Sequence, residues 1–185
     1  MALQEDLLAF LDTETTGLEE GVEEVCEIAT IITDLNLKEV ARIEMKVQVE
    51  KVVPPQVAAI NGYDKQVWEE EAKPFSVWMD WISKQVSFGH VAIPIGHNVG
   101  YDYNMIKLKY YKPKKKFFPL SYHKVDTVGF ALVLRMVGIL KSDNLKLATV
   151  TKALNIKHEN THRAMSDCEA SKALFEMVVG RLTPF

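Results

Sequence analysis

The sequence predicts one α/β domain built on a mixed five-stranded sheet with flanking helices. Three observations predict it. An apolar run, a β-branched run and an alternating run follow one another with only short turns between them, as in an antiparallel meander. Helices and strands then alternate, which places later strands alongside the meander and helices on its faces. The chain has 185 residues, 48% of them hydrophobic, enough for one substantial core and too many for disorder.

Leu7 to Leu11 is an apolar run that ends in Asp12-Thr13-Glu14 and a glycine turn at Gly17, the pattern of a buried strand. Gly17 to Glu24 is an acidic turn. Val25 to Thr33 is rich in β-branched residues and reads as a second strand, and Leu35-Asn36-Leu37 is a tight connection. Ala41 to Val49 alternates apolar and charged residues, as a half-exposed third strand should. Pro54-Pro55 breaks the pattern, and Gln56 to Ile60 fits one helical turn stopped at Asn61-Gly62. Pro74 opens a helix to about Gln85, with Phe75, Trp78, Met79 and Ile82 at helical spacing for the core.

Val91 to Ile95 is a further apolar strand that runs into Gly96-His97-Asn98, and a helix follows from about Gly100 to Tyr111. Lys112 to Pro119 is a basic loop between prolines, and Lys124-Val125-Asp126 is a short strand. Phe130 to Val137 is apolar on almost all sides, the pattern of a buried helix. Asp143 or Asn144 can cap the next helix, in which Leu147, Val150 and Leu154 share a face. The last helix starts near Ala164, with Cys168, Ser171, Phe175, Val178 and Leu182 as its buried stripe. No repeat, low-complexity tract or linker interrupts this order, so residues 1–185 are expected to form a single domain.

No apolar stretch is long enough to span a bilayer, and Glu5 and Asp6 stand where a signal peptide would be basic. Cys26 and Cys168 are two lone thiols without metal-site spacing, which suits a reducing, cytoplasmic setting without structural zinc. Net charge is −3, but its distribution is uneven. Residues 1–80 hold 18 acidic and 6 basic residues, and residues 81–185 hold 7 and 16. Six lysines fall within 107–116, at 107, 109, 112, 114, 115 and 116. Such a run is either a solvated face or one wall of a polyanion groove.

Asp12 and Glu14 are one residue apart at the end of a buried strand, so their side chains leave the same face while Thr13 points away. Two carboxylates so placed repel, and one takes up a proton unless a divalent cation lies between them. The plainer alternative is that Asp12 caps a turn and Glu14 is solvated. Asp102 falls at the start of a helix, where it either caps the helix or joins a site. Asp167 falls inside the last helix. His162 is five residues earlier, too far round a helix to share its face, so it must sit on the preceding loop if both serve one site.

Together these motifs resemble the DEDDh 3′→5′ exonucleases, the DnaQ-like family that includes the proofreading epsilon subunit of bacterial DNA polymerase III and ribonuclease T. They are Asp12-Thr-Glu14-Thr-Thr-Gly17-Leu18, then His97-Asn98-Val-Gly-Tyr-Asp102, then Val125-Asp126-Thr127, then His162-Arg163-Ala-Met-Ser-Asp167. The resemblance runs from residue 7 to about residue 178.

The resemblance implies a ribonuclease H-like fold with the opening strand at the sheet centre. It implies two Mg²⁺ or Mn²⁺ ions, one held by Asp12, Glu14 and Asp167 and the other by Asp12 and Asp102. It makes His162 the general base, a role that suits a side chain whose ordinary pKa is about 6.5. The product would be a nucleoside 5′-monophosphate released from single-stranded or frayed DNA ends, in proofreading or repair. Thr15 and Leu18 would pack on the terminal nucleotide, Ile60 and Asn61 would approach its base, and His97, Asn98 and Tyr101 would line the strand path. Asp126 reads as structural, the cap of the helix from Thr127. Single-stranded nucleic acid, DNA ahead of RNA, is the expected partner, and no membrane is. A replicative polymerase is a further candidate, although no segment like the epsilon subunit's tether follows the last helix. Two alternatives stay open: an RNA-trimming or oligonucleotide-clearing exoribonuclease, and a binding module of the same fold that has lost catalysis.

Overall fold

The computed structural model describes residues 4–86, 90–113 and 117–182. Five strands form one mixed sheet: β1 (Gln4–Thr15), β2 (Val25–Asp34), β3 (Glu39–Lys46), β4 (His90–Gly96) and β5 (Val125–Asp126). Their order across the sheet is β3-β2-β1-β4-β5, so the opening strand is central. The meander β1-β2-β3 is antiparallel, with Leu7 opposite Asp34 and Glu14 opposite Glu27. β4 and β5 add in parallel on the other side of β1.

The strand pleat divides the core. Ala9 and Leu11 face one side, packed with Trp78, Met79 and Ile82 of α3 (Ser76–Gln85) and with Tyr103, Met105 and Ile106 of α4 (Val99–Ile106). The label α1 belongs to Pro55–Asn61 and α2 to Lys65–Glu71. Leu8 and Phe10 face the opposite side, against Ala164 and Cys168 of the long last helix, α7 (Ala164–Leu182). A third cluster joins α7 to α5 (Thr127–Met136) and α6 (Leu147–Ala153) through Ala131, Leu134, Val150 and Leu174.

Two features of this frame position the site. The Cys168 thiol donates to the Phe10 carbonyl at 3.3 Å, which seats the first turns of α7 directly on β1. The parallel pairing of β1 with β4 ends at Phe10–Ile95, so β1 runs on for several residues with a free edge. The chain leaves β4 through Gly96, where a Cβ would lie 2.7 Å from the Leu11 carbonyl oxygen. Only glycine lets the backbone turn that close, and the turn delivers α4 to the free edge of β1.

Several expectations are corrected here. The acidic stretch Lys65–Glu71, which the sequence pattern leaves unassigned, is a helix capped by Asp64, whose side chain accepts the Val67 N–H. Its sequence shows no apolar stripe because Trp68 alone is buried, donating its indole N–H to the Cys26 carbonyl at 2.7 Å. The third strand spans Glu39–Lys46, earlier than Ala41 to Val49. The helix expected to run to Tyr111 is α-helical only to Ile106 and continues as a π-helical turn over Lys107–Tyr111. Asn144 does not cap α6; its side chain accepts the Lys146 N–H and turns the loop ahead of the helix. α5 is buried at Thr127, Ala131 and Leu134, while Val133 and Met136 are 56% and 77% exposed, because apolar composition says nothing about what covers each side. The α7 stripe is buried at Cys168, Ser171 and Leu174, and Leu182 projects into solvent. No helix among the described residues is long and apolar enough to cross a membrane.

Candidate active site

The pleat that sends Leu8 and Phe10 toward α7 sends Asp12 and Glu14 the same way. Cys168 sits over Phe10, so its neighbour Asp167, in the first turn of α7, meets the carboxylates as β1 ends. His162 lies two residues before α7, on the loop, in the left-handed region at φ 64°. Donor atoms of Glu14, His162 and Asp167 all lie within 4.8 Å of one another.

Asp102 arrives by the other route. It is buried in the first turn of α4, and its Oδ1 accepts both the Thr13 N–H at 2.9 Å and the Thr13 hydroxyl at 2.6 Å. The backbone donor that β4 leaves without a strand partner is thus satisfied by a site carboxylate. Thr13 points away from Asp12 and Glu14 as expected, and that direction is the one that reaches Asp102.

The electrostatics follow from four acids in one place. Burial pushes the Asp12 carboxyl well above the usual carboxylate range, and Asp102, Asp167 and Glu14 push it further. Burial, then Asp167 and Glu27, hold Glu14 at about 8, against a small opposing pull from Arg163. Burial takes Asp102 to about 7 despite the Thr13 hydrogen bonds, which favour its charged form. Carboxyls that keep protons near neutrality are a site short of positive charge. The donor set is mostly hard carboxylate oxygen, which fits Mg²⁺ or Mn²⁺ better than a thiophilic metal.

Two supports had no signal in the sequence beyond their residue type. Arg163, next to His162, grips the buried Glu27 with Nε at 3.0 Å and Nη2 at 2.7 Å, tying the histidine loop to β2. A histidine in the left-handed region persists only where its surroundings hold it, and this bidentate pair does so. His158 contacts Asp167 Oδ1 through Nε2 at 2.6 Å and Thr151 Oγ1 through Nδ1 at 3.1 Å.

The residues expected on the substrate path divide into two groups. Leu18 is 89% exposed, Ile60 is 59% exposed, and Asn98 is also at the surface. The side chains of Thr15, Asn61, His97 and Tyr101 are engaged in holding the site walls together. Asn61 is buried and donates to the Thr15 carbonyl at 3.2 Å, and the Tyr101 hydroxyl donates to the Gly17 carbonyl at 2.8 Å and lies 3.0 Å from the Thr15 hydroxyl. His97 Nε2 donates to the Leu145 carbonyl at 2.6 Å and Nδ1 meets Thr127 Oγ1 at 2.9 Å, while burial lowers its pKa. Asp126 caps α5 at Val128, as expected, and also accepts the Asn98 N–H. Beside His162, an open cleft of about 600 Å³ is lined by Ile60, Asn61, Asn160 and Arg163 among others.

Of the basic run, Lys107 donates to the Tyr103 hydroxyl at 3.2 Å and lies over the Tyr103 and Phe118 rings, and Lys109 faces Glu24 at 3.7 Å. Lys114, Lys115 and Lys116 lie outside the described residues.

A central strand that delivers two carboxylates, a parallel neighbour whose helix delivers a third, and a last helix that delivers a fourth beside a loop histidine define a nuclease of ribonuclease H-like architecture. The chain belongs to the RNase_T exonuclease family, whose family model matches residues 9–175.

Its relatives bear this out. It is 24% identical over 174 residues to the 3′-5′ exonuclease DinG of Bacillus subtilis (strain 168), covering 93% of this chain and 17% of that protein. It is 23% identical over 168 residues to DNA polymerase III subunit epsilon of Treponema pallidum (strain Nichols), covering 91% and 74%. Among solved structures, E. coli exonuclease I in complex with a dT13 oligonucleotide superposes with a TM-score of 0.78 at 21% identity, over 96% of this chain and 42% of that one. The chain thus spans less than a fifth of DinG and less than half of exonuclease I.

Proposed function

We propose that the chain is a metal-dependent 3′→5′ exonuclease that releases nucleoside 5′-monophosphates from single-stranded or frayed DNA ends. The observation that carries the proposal is the convergence of Asp12, Glu14, Asp102 and Asp167 with His162 at the end of β1, in an electrostatic setting that calls for cations. Asp12, Glu14 and Asp167 would hold one Mg²⁺ or Mn²⁺ and Asp12 with Asp102 a second. Bound there, the pair would supply neutralising charge to the attacking and leaving oxygens of an in-line displacement. His162, exposed beside Glu14 and Asp167, accepts a proton from the attacking water as the new P–O bond forms. The bond to the 3′-oxygen of the penultimate nucleotide breaks, and that oxygen is protonated from solvent. Mg²⁺ prefers oxygen donors, so the imidazole is left free for this role.

Leu18 and Ile60 offer exposed apolar surface on which a terminal nucleoside can pack without its sequence being read. The names of the relatives, DNA polymerase III among them, favour DNA and make a replicative polymerase a candidate partner. Matched 5′-labelled DNA and RNA strands incubated with Mg²⁺ test both direction and substrate. The expected result is a ladder that shortens from the 3′ end of the DNA. Early internal fragments would indicate an endonuclease, and degradation of RNA alone would indicate an exoribonuclease.

A further inference from the structure

We propose that His158 is a positioning residue for the metal site, acting through Asp167. The inference rests on the metal-site reading above and adds a sixth side chain to it.

His158 is almost fully enclosed, its side chain only 4% exposed, yet both ring nitrogens are used. Nε2 lies 2.6 Å from Asp167 Oδ1, and Nδ1 lies 3.1 Å from the buried Thr151 hydroxyl. With Asp167 as a carboxylate, Nε2 carries the proton and donates. Nδ1 lies against the Thr151 hydroxyl, which also donates to the Leu147 carbonyl at 2.9 Å, so α6 holds one edge of the ring while Asp167 of α7 meets the other. The bond occupies Oδ1 and leaves both lone pairs of Oδ2 to a cation.

Asp167 needs such an anchor. It shares the site with Asp12 and Glu14, and once these are ionised to receive a cation their repulsion would turn an untethered carboxylate away. Asp12 is held on β1 by its pairing with β2, opposite Ala29, and Asp102 is fixed by the two Thr13 bonds. His158 does the same for Asp167. Partners of ligating carboxylates typically change metal affinity or activity by about 10–100-fold when removed. His158 reaches the site from the chain just after α6, so it also ties the α6 connection to the catalytic face of α7.

Two amide substitutions test the proposal. In His158→Gln the amide nitrogen falls near the Nε2 position and can still donate to Asp167. In His158→Asn the shorter amide falls near Nδ1 and can reach only Thr151. Mn²⁺ binding is read by calorimetry on the metal-free protein, beside the melting temperature without metal and the kcat and KM for a short DNA strand. The expected result is Mn²⁺ affinity within a few-fold of wild type for Gln and roughly 10–100-fold weaker for Asn. Turnover should fall with it while KM for DNA stays put. Equal Mn²⁺ affinities for the Gln and Asn variants would overturn the proposal, whatever their melting temperatures. Asp167→Asn separates this failure from a failure of the site itself. If it too leaves Mn²⁺ binding unchanged, the metal-site reading fails; if it alone weakens binding, only the role of His158 does.

Discussion

At the scale of single residues, crowding buried carboxyls at the end of β1 costs the protein stability at neutral pH. Glu14 sits at about 8 in the fold, far above its ordinary value near 4.5. A carboxyl raised in this way binds a proton more tightly folded than unfolded. Its contribution to stability is therefore fullest at acid pH and is lost as pH climbs from about 4.5 to about 8. In excess chelator the melting temperature should fall over that window, and Glu14→Gln, which cannot ionise, should fall less and be the more stable protein near pH 8. With Mg²⁺ present the wild-type decline should shrink. Parallel melting curves for the two proteins in chelator would show that Glu14 is not held protonated. Asp12 and Glu14 were legible because strand alternation puts them on one face whatever the rest of the fold does. Asp102, His162 and Asp167 were legible only through motif resemblance, since which loops and helices meet at a strand end is a tertiary fact. Thr13 and His158 were not legible at all. Thr13 works by pointing away from the first pair, and the partners of His158 lie seven and nine residues from it on two different helices.

At the scale of elements, the histidine loop is tied to β2 by the Arg163–Glu27 pair. Glu27 is fully buried on β2 opposite Glu14, and Arg163 reaches it from beside His162. Removing one member of a fully buried pair costs about 3–5 kcal/mol, because the other charge is left alone. The Arg163 side chain is 38% exposed, so water screens part of that loss. Arg163→Gln should cost roughly 2–3 kcal/mol in urea unfolding. Adding Glu27→Gln should restore part of it, because the stranded charge is gone. Simple additivity of the two losses would show that the pair is not coupled. The strands of the sheet were readable because their periodicity or β-branched content is strong and their turns are short. α2 was not, because a helix held by one tryptophan and an aspartate cap leaves no stripe. The exposed side of α5 was not, because the pattern that suits burial on all sides also suits a helix with one open face.

At the scale of the whole molecule, the acidic half of the chain contains the meander, the first carboxylate pair, α1 and α2, and the basic half supplies β4, β5 and α4 to α7, with α3 across the boundary. The charge asymmetry pointed toward a polyanion, but Lys107 and Lys109 are largely absorbed by Tyr103, Phe118 and Glu24. Charge counts register numbers of lysines and not their partners. What remains readable at this scale is the carboxylate order along the chain, with Asp12, Glu14, Asp102 and Asp167 gathered at one end of the central strand. The claim that this cluster is a cation-dependent hydrolytic centre is tested most directly by mononucleotide release from single-stranded DNA. Wild type and Asp12→Asn are compared across a Mg²⁺ titration that begins in excess chelator. The account predicts release only by the wild type, rising with Mg²⁺ and absent in chelator, from two proteins that are both folded. Release that persists in chelator, or that Asp12→Asn supports at the wild-type rate, would contradict it.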